Sequence, residues 1–267
     1  MDDAACGYVS LSTFHRIART IDRPTRRRIR RRRSADRRRR PAPDLRASRP
    51  GEVLCWDITY LPGRYQGQTF AFYAVIDLFS RRIVGHTVQH REDSVIATAW
   101  MAAVFDSLAG RTRVLHSDNG AAMTSKPMTA LLDERGVEQS RPRPAVSNDN
   151  PQIESWFHTV KGHRRYPQFF DDIDHAVTWG AEFVDFYNTV HRHSGLNGYT
   201  PDEVFTGAWP AVHAHRQAKA DTAFALTPHR YRRPPRVPAP PDHARLAITA
   251  QQAPVRATTT LEKLLVA

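Results

Sequence analysis

Three acids stand where a carboxylate has no obvious structural purpose. Asp57 lies in the middle of the apolar run EVLCWDITYLP (52–62), between Trp56 and Ile58, where an unpaired charge is costly to bury. Asp118 lies in HSDNGAAMTS (116–125), at the end of a short apolar run. Strand ends of this kind carry the sites of open α/β sheets. Glu154 falls in the first turns of a helix signalled by Asn150 and Pro151 in NDNPQIESWFHTVKG (148–162), with Asn150 as its N-cap. With Glu154 at zero and about 100° per residue, His158 lies near +40° and Lys161 near −20°, while Ile153, Trp156 and Val160 lie between about −100° and −160°. An acid, an imidazole and an ammonium thus share one stripe, suited to holding a cation beside a phosphate, with a core stripe behind it. Taken alone, the same stripe reads equally well as a solvent face, and HSDNG as a polar turn.

The elements around these acids are legible from periodicity. Residues 52–62, TFAFYAVIDLFS (69–80) and RRIVGHTVQ (81–89) are three strand-like runs with short connections, an antiparallel meander. DSVIATAWMAAVFDSLAG (93–110) is an amphipathic helix ending at Gly110, with Ile96, Trp100, Val104 and Leu108 expected on its core side. RVLHSD (113–118) reads as a buried strand, and SKPMTALLDERG (125–136) as a helix with Pro127 in its first turn. In residues 171–195, Ala176, Trp179, Phe183, Phe186 and Tyr187 form another helical stripe, followed by a basic HRHSG that either grips a phosphate or caps the helix. Strands followed by helix, strand and helix give an α/β domain with a mixed sheet. Two nearby acids have plainer readings: Asp77 ends its strand and pairs with Arg81 or Arg82 or caps the turn, and Asp149 caps a helix. Trp56, Trp156 and Trp179 are expected in the core, and Cys55, facing the same side as Asp57, as a small packing residue.

Of the formal net charge of +12, +11 sits in residues 1–50, which hold sixteen Arg, no Lys and five Asp. Eleven of the fifteen residues 26–40 are Arg, a density that repels itself unless a polyanion neutralises it. Nucleic acid is the natural partner, because each neutralised phosphate releases counterions whatever the base sequence; a solvated linker is the plainer alternative. VSLSTFHRIART (9–20) is long enough for only a short helix, and PAPDLRASRPGE (41–52) reads as a proline-rich tether. No run approaches eighteen apolar residues and no signal-peptide pattern opens the chain, so a cytoplasmic protein is expected. Cys6 and Cys55 lie in unlike contexts and suggest neither a disulfide nor a structural zinc.

Thirty-five residues separate Asp118 from Glu154, and a Lys follows seven residues later. This pattern resembles the retroviral-integrase-like DDE transposases. WDITYLP, YAVIDLFSRRIVG, HSDNGAAMTS and YNTVHRHSGLNGYTPDEVF are similar, more closely, to the catalytic subunit of insertion-sequence transposases of the two-reading-frame type. The likeness runs over about residues 51–207, and more weakly through TPHRYRRPPRVPAPP (227–241). It implies a ribonuclease H-like fold with a mixed five-stranded sheet flanked by helices. With the arginine arm, it divides the chain into four expected regions: a remnant of an N-terminal helical DNA-binding region (1–21), a basic, largely disordered arm with its linker (22–50), the integrase-type core (51–207) and a partly disordered extension (208–267). By the resemblance Asp57, Asp118 and Glu154 are the catalytic triad, holding two Mg²⁺ ions, with Mn²⁺ as a substitute. Such hard ions take carboxylate and phosphate oxygens. Lys161 contacts terminal DNA, Asn119 and Gly120 shape the loop after the second acid, and His158, Asn119 and the arm's Arg26, Arg27, Arg28, Arg30, Arg31, Arg32 and Arg33 complete the expected DNA contacts. The implied activity is DNA nicking followed by transfer of a 3′-hydroxyl end, moving an insertion sequence. Double-stranded DNA, further copies of the chain and an upstream-frame helix-turn-helix protein are its implied partners, at the bacterial nucleoid. Relatives carry a larger helical region before the core, so the chain reads as truncated. Two alternatives are an idle DNA-binding remnant and a ribonuclease H-like nuclease that hydrolyses without joining.

Overall fold

The computed structural model describes residues 44–142 and 150–247. The helix expected over 9–20, the arginine arm and Asp149 lie outside these residues. In chain order the described elements are β1 (Asp44–Ala47), β2 (Val53–Pro62), β3 (Thr69–Asp77), β4 (Ile83–Gln89), α1 (Ser94–Ser107), β5 (Val114–Ser117), α2 (Lys126–Arg135), β6 (Glu138–Ser140), α3 (Pro151–Gly162), α4 (Ile173–Thr189), α5 (Pro201–Phe205), α6 (Trp209–Leu226) and β7 (Ala244–Ala247). The main sheet runs β4-β3-β2-β5-β6, with β2, β3 and β4 antiparallel and β2, β5 and β6 parallel. The expected meander is there, extended by two parallel strands into a mixed five-stranded sheet.

Alternation along β2 assigns its side chains to two layers. Cys55 and Leu61 join Phe70, Phe72 and Ile76 under α3 and α4, where Trp156, Val160, Phe183 and Tyr187 close the core. Leu54 and Trp56 join Ala71, Tyr73 and Val75 on the opposite face, under α1 and α2. Helices thus cover both faces. The two core layers leave little slack: a Cβ on Gly85 in β4 would lie 2.5 Å from Val104 Cγ2 and 3.3 Å from Trp100 Cζ2, so only glycine lets α1 lie this close. Asn188 of α4 ties that helix to the sheet, its Oδ1 accepting from Ile83 N–H (2.9 Å) and its Nδ2 donating to Ile83 O (3.0 Å).

Several expectations need correction. The core stripe of α1 is Ala97, Met101, Val104 and Phe105, with Leu108 just beyond it, whereas Ile96 is 41% exposed. Val104 and Leu108 are buried as expected and Trp100 packs against the core in part, so the inward face is broader than the expected stripe and shifted at its start. In α4, Phe186 stands at the surface at 36% exposure, while Phe183 and Tyr187 are buried. The tether expected over 41–52 contains β1, which pairs antiparallel with β7 from the expected extension. Leu45, Ala47, Ala244 and Leu246 pack on the core beneath α3 and α4, and Arg245 grips Asp44 through two bonds of 2.7 and 2.8 Å. Of the extension, residues 209–226 are helical as well. No helix among the described residues is long and apolar enough to cross a membrane.

Candidate active site

The ladder between β2 and β5 is parallel and in register, with Cys55 opposite His116 and Trp56 opposite Ser117. Asp57 is the next residue on β2, and Asp118 is the first residue beyond β5. They emerge side by side where the two strands part, about 4.8 Å being the usual spacing between neighbours. Glu154 arrives from the third element. Pro151 begins α3 as expected, and Asn150 occupies the N-cap position, but its side chain does not cap the helix. Its amide instead donates to Trp56 O (3.3 Å), which fixes the start of α3 beside the peptide that precedes Asp57. Farther along, Lys161 Nζ donates to Thr59 Oγ1 (2.6 Å). These two bonds lay α3 along β2 from residue 56 to residue 59, with Glu154 between them.

The electrostatics report the same convergence. Burial pushes the Asp57 carboxyl up to about 7, opposed by the Ile58 N–H that donates to its Oδ1 (2.8 Å). The charges of Asp118 and Glu154 raise it further, and the Lys161 ammonium opposes them. Burial lowers Lys161 in turn, and Asp57 holds it up. Asp57 therefore feels an acid from each of two distant segments. Asp118 closes a tight turn, its Oδ1 accepting from Gly120 N–H (2.7 Å).

The other expected site residues divide. Lys161 is brought to the acids. His158 is exposed on α3, and Asn119 is exposed beyond Asp118. Arg26, Arg27, Arg28, Arg30, Arg31, Arg32 and Arg33 lie outside the described residues. Asp77 is a structural acid, fully buried, accepting from Gly51 N–H (2.9 Å), Ser80 N–H (2.8 Å) and the Ser80 hydroxyl (2.5 Å). It caps the turn, as one of its readings held, while Arg82 pairs with Asp202 (2.9 Å). Cys55 is fully buried, and burial pushes its thiol up to about 12, which suits packing and not attack. In the HRHSG stretch Arg192 is paired with Glu203 (2.7 Å). Thr59, the partner of Lys161, and the amide of Asn150 are contributors that the sequence reading missed. Thr59 does lie on the Asp57 side of β2 by alternation, a signal that was present.

As placed, no group of three or more His, Cys, Asp or Glu side chains among the described residues is assembled to hold a metal ion. The donor set nonetheless fits a hard divalent cation: three carboxylates, no competing sulfur, and a repulsion among them that a cation would relieve.

Two integrase core domain profiles match the chain, one over residues 47–147 and the other over 135–201. The chain is 28% identical over 161 residues to the putative transposase InsK of insertion sequence element IS150 from Escherichia coli, covering 60% of this chain and 56% of that protein. It is 29% identical over 163 residues to the transposase InsF of insertion sequence IS3A from the same species, again covering 60% and 56%. The match thus spans little more than half the length of these curated relatives. Among solved structures, a chain of the simian T-cell lymphotropic virus intasome shares the fold with a TM-score of 0.50 at 16% identity, covering 64% of this chain and 60% of that one. That likeness and the β4-β3-β2-β5-β6 sheet with helices on both faces make the fold ribonuclease H-like.

Proposed function

Because this chain belongs to the insertion-sequence transposases with an integrase-type catalytic core, we propose that it nicks DNA and joins the freed 3′-hydroxyl end to a second DNA site, in a reaction that requires a divalent metal. Asp57, Asp118 and Glu154 hold the metal, with Mg²⁺ as the usual ion, two per site, and Mn²⁺ as a substitute. The observation that carries this reading is the partly buried Asp57 carboxyl, pushed up to about 7, beside two further acids from separate elements. Bound divalent ions would neutralise charge at phosphorus and polarise the attacking and leaving oxygens. The chain's own residues do the rest. The β2–β5 ladder fixes the spacing of the two aspartates, and Asn150 and Thr59 fix the line of α3. Lys161 offers its ammonium on the Asp57 side, where an approaching phosphate meets a positive charge. With water as nucleophile the strand is cut, and with a 3′-hydroxyl it is joined.

Residues 1–50 supply sequence-independent phosphate contacts through the arginine arm, and residues 51–207 supply chemistry. His158 and Asn119, both exposed near the acids in sequence, contact the DNA there. The working form is a set of copies assembled on double-stranded DNA at the nucleoid, with an upstream-frame helix-turn-helix protein aiding recognition of element ends. The test is incubation of purified protein with Mg²⁺ and labelled DNA from the flanks of its coding region. Asp118→Asn and Glu154→Gln should abolish nicking and joining while DNA binding persists, because binding is mostly phosphate electrostatics. Asp77→Asn, the structural control, should cut in proportion to its folded fraction. Activity in the Asp118 and Glu154 variants equal to that of the control would refute the assignment.

A further inference from the structure

Glu92 lies in HRED (90–93), between β4 and α1, and no part of the proposed chemistry uses it. Its backbone is held from both sides by one buried phenol: Tyr73 Oη donates to Arg91 O (3.3 Å) and accepts from Asp93 N–H (2.8 Å). Its side chain spans two elements of the site. Oε1 accepts from Ala122 N–H (3.1 Å) in the loop that follows Asp118, and Oε2 accepts from the Tyr60 hydroxyl (3.1 Å) on β2, three residues past Asp57. Glu92 and Asp118 also flank the same glycine, since a Cβ on Gly120 would lie 3.0 Å from Asp118 Oδ1 and 3.6 Å from Glu92 Oε1.

The loop from Asp118 to Ala122 is therefore held at two points. Asp118 Oδ1 takes the Gly120 N–H, and Glu92 takes the Ala122 N–H. The first hold uses an oxygen that a metal would claim. The second does not, and it is tied to the strand that carries Asp57. We propose that Glu92 is a positioning residue: it keeps the Asp118 loop in place when the Asp118 carboxylate turns to a cation, and it sets that loop against β2 through Tyr60. The inference rests on the reading of Asp118 as a metal ligand. Groups that orient metal ligands in this way typically change metal affinity by about 10–100-fold when removed.

Four full-length variants separate this role from a structural one and from plain charge. Glu92→Gln keeps an oxygen for the Ala122 N–H but loses the charge; Glu92→Asp keeps the charge but is one methylene too short to span both partners. Glu92→Ala loses both, and Asp118→Asn tests the ligand itself. Mn²⁺ titration, read by the rise in melting temperature, gives the metal midpoint. Hydrogen exchange without metal, read at peptides covering 118–124, reports the hold on the loop. The expected result is a midpoint raised about 10–100-fold in Glu92→Ala and Glu92→Asp, with faster exchange at 118–124, and Glu92→Gln within about threefold of wild type in both. If Glu92→Ala does not fold, Glu92→Asp carries the same expectation. Wild-type midpoint and exchange in folded Glu92→Asp, or a Glu92→Gln protein as impaired as Glu92→Ala, would overturn the proposal in favour of bulk charge or simple packing. A wild-type protein indifferent to Mn²⁺, or an Asp118→Asn protein that binds it normally, would instead refute the ligand reading beneath it, and that outcome is recognisable without any Glu92 variant.

Discussion

Replacing Asp57 by Asn should stabilise the metal-free protein at neutral and alkaline pH while removing its activity. An aspartate titrates near 3.9 in an unfolded chain, and here it is held at about 7 by burial first and by Asp118 and Glu154 after that. Between those values the folded state binds more protons than the unfolded state, so Asp57 makes stability fall as pH rises through the window, and the full cost is present above 7. The gap corresponds to at most about 4 kcal/mol, and solvent reaching the open side of the site reduces it to about 2–4 kcal/mol. For a domain of this size that is roughly 5–15 °C in melting temperature. Asparagine keeps an Oδ1 to accept from Ile58 N–H, so little else changes. The assay is urea or thermal unfolding of both proteins from pH 4 to pH 8.5 in chelator. Other groups tilt the individual curves. Burial above all, with the Arg81 and His191 charges, lowers His193 to about 4; its contribution is present above about 6.5 and lost as pH falls towards 4. The difference between the two proteins cancels this and isolates Asp57. A gap that opens from near zero at pH 4 to its full size by pH 8 is expected. A gap absent at pH 8, or of equal size at both ends, would refute the argument that burial, with the neighbouring acids, raises Asp57.

Two further outcomes follow from packing and charge. Gly85→Ala should cost about 1–3 kcal/mol by driving a methyl into Val104, and Val104→Ala in the same chain should recover part of it, which chemical denaturation of the three variants can measure. Deleting residues 22–40 should weaken binding to all DNA sequences alike and flatten its dependence on salt while the core still folds; an unchanged salt slope in a binding titration would make the arm a linker only.

The three acids were legible because each interrupts a pattern. Asp57 breaks an apolar strand, Asp118 ends one, and Glu154 opens the polar stripe of a helix. Contributions made across the chain left no such mark. Glu92 looks like one more polar residue before a helix, and its partners Tyr60 and Ala122 lie about thirty residues away on either side. Asn150 looks like a cap, and its amide goes to a carbonyl on β2 instead. The strands DLRA (44–47) and ARLA (244–247) are too short and too polar to announce themselves, and each exists because the other pairs with it. For α1 the expected Val104 and Leu108 do face in, and the stripe differs at its start, where Ala97 and Met101 are buried and Ile96 is exposed, because tertiary packing and not periodicity sets how far the inward face extends.

A physical criterion separates Asp77 from Asp57 and Asp118, although all three follow or interrupt apolar strands. Asp77 accepts from two backbone N–H groups and a hydroxyl, which oppose without cancelling the upward push of its burial; its carboxylate is part of what closes the β3–β4 turn. Asp57 and Asp118 each accept from a backbone N–H one or two residues away, and the bonds that place their elements belong to other atoms: the β2–β5 ladder, Asn150 to Trp56, Lys161 to Thr59, Glu92 to Ala122. The elements that carry Asp57 and Asp118 are therefore placed by bonds other than those of their carboxylates. The charges of Asp118 and Glu154 add to the burial that raises Asp57, and a cation bound in the folded state would relieve both. By mass action, added Mg²⁺ or Mn²⁺ should then close the stability gap between wild type and Asp57→Asn at pH 8, raising the melting temperature of the wild type more than that of the variant. A cation that stabilised both proteins equally would be binding elsewhere.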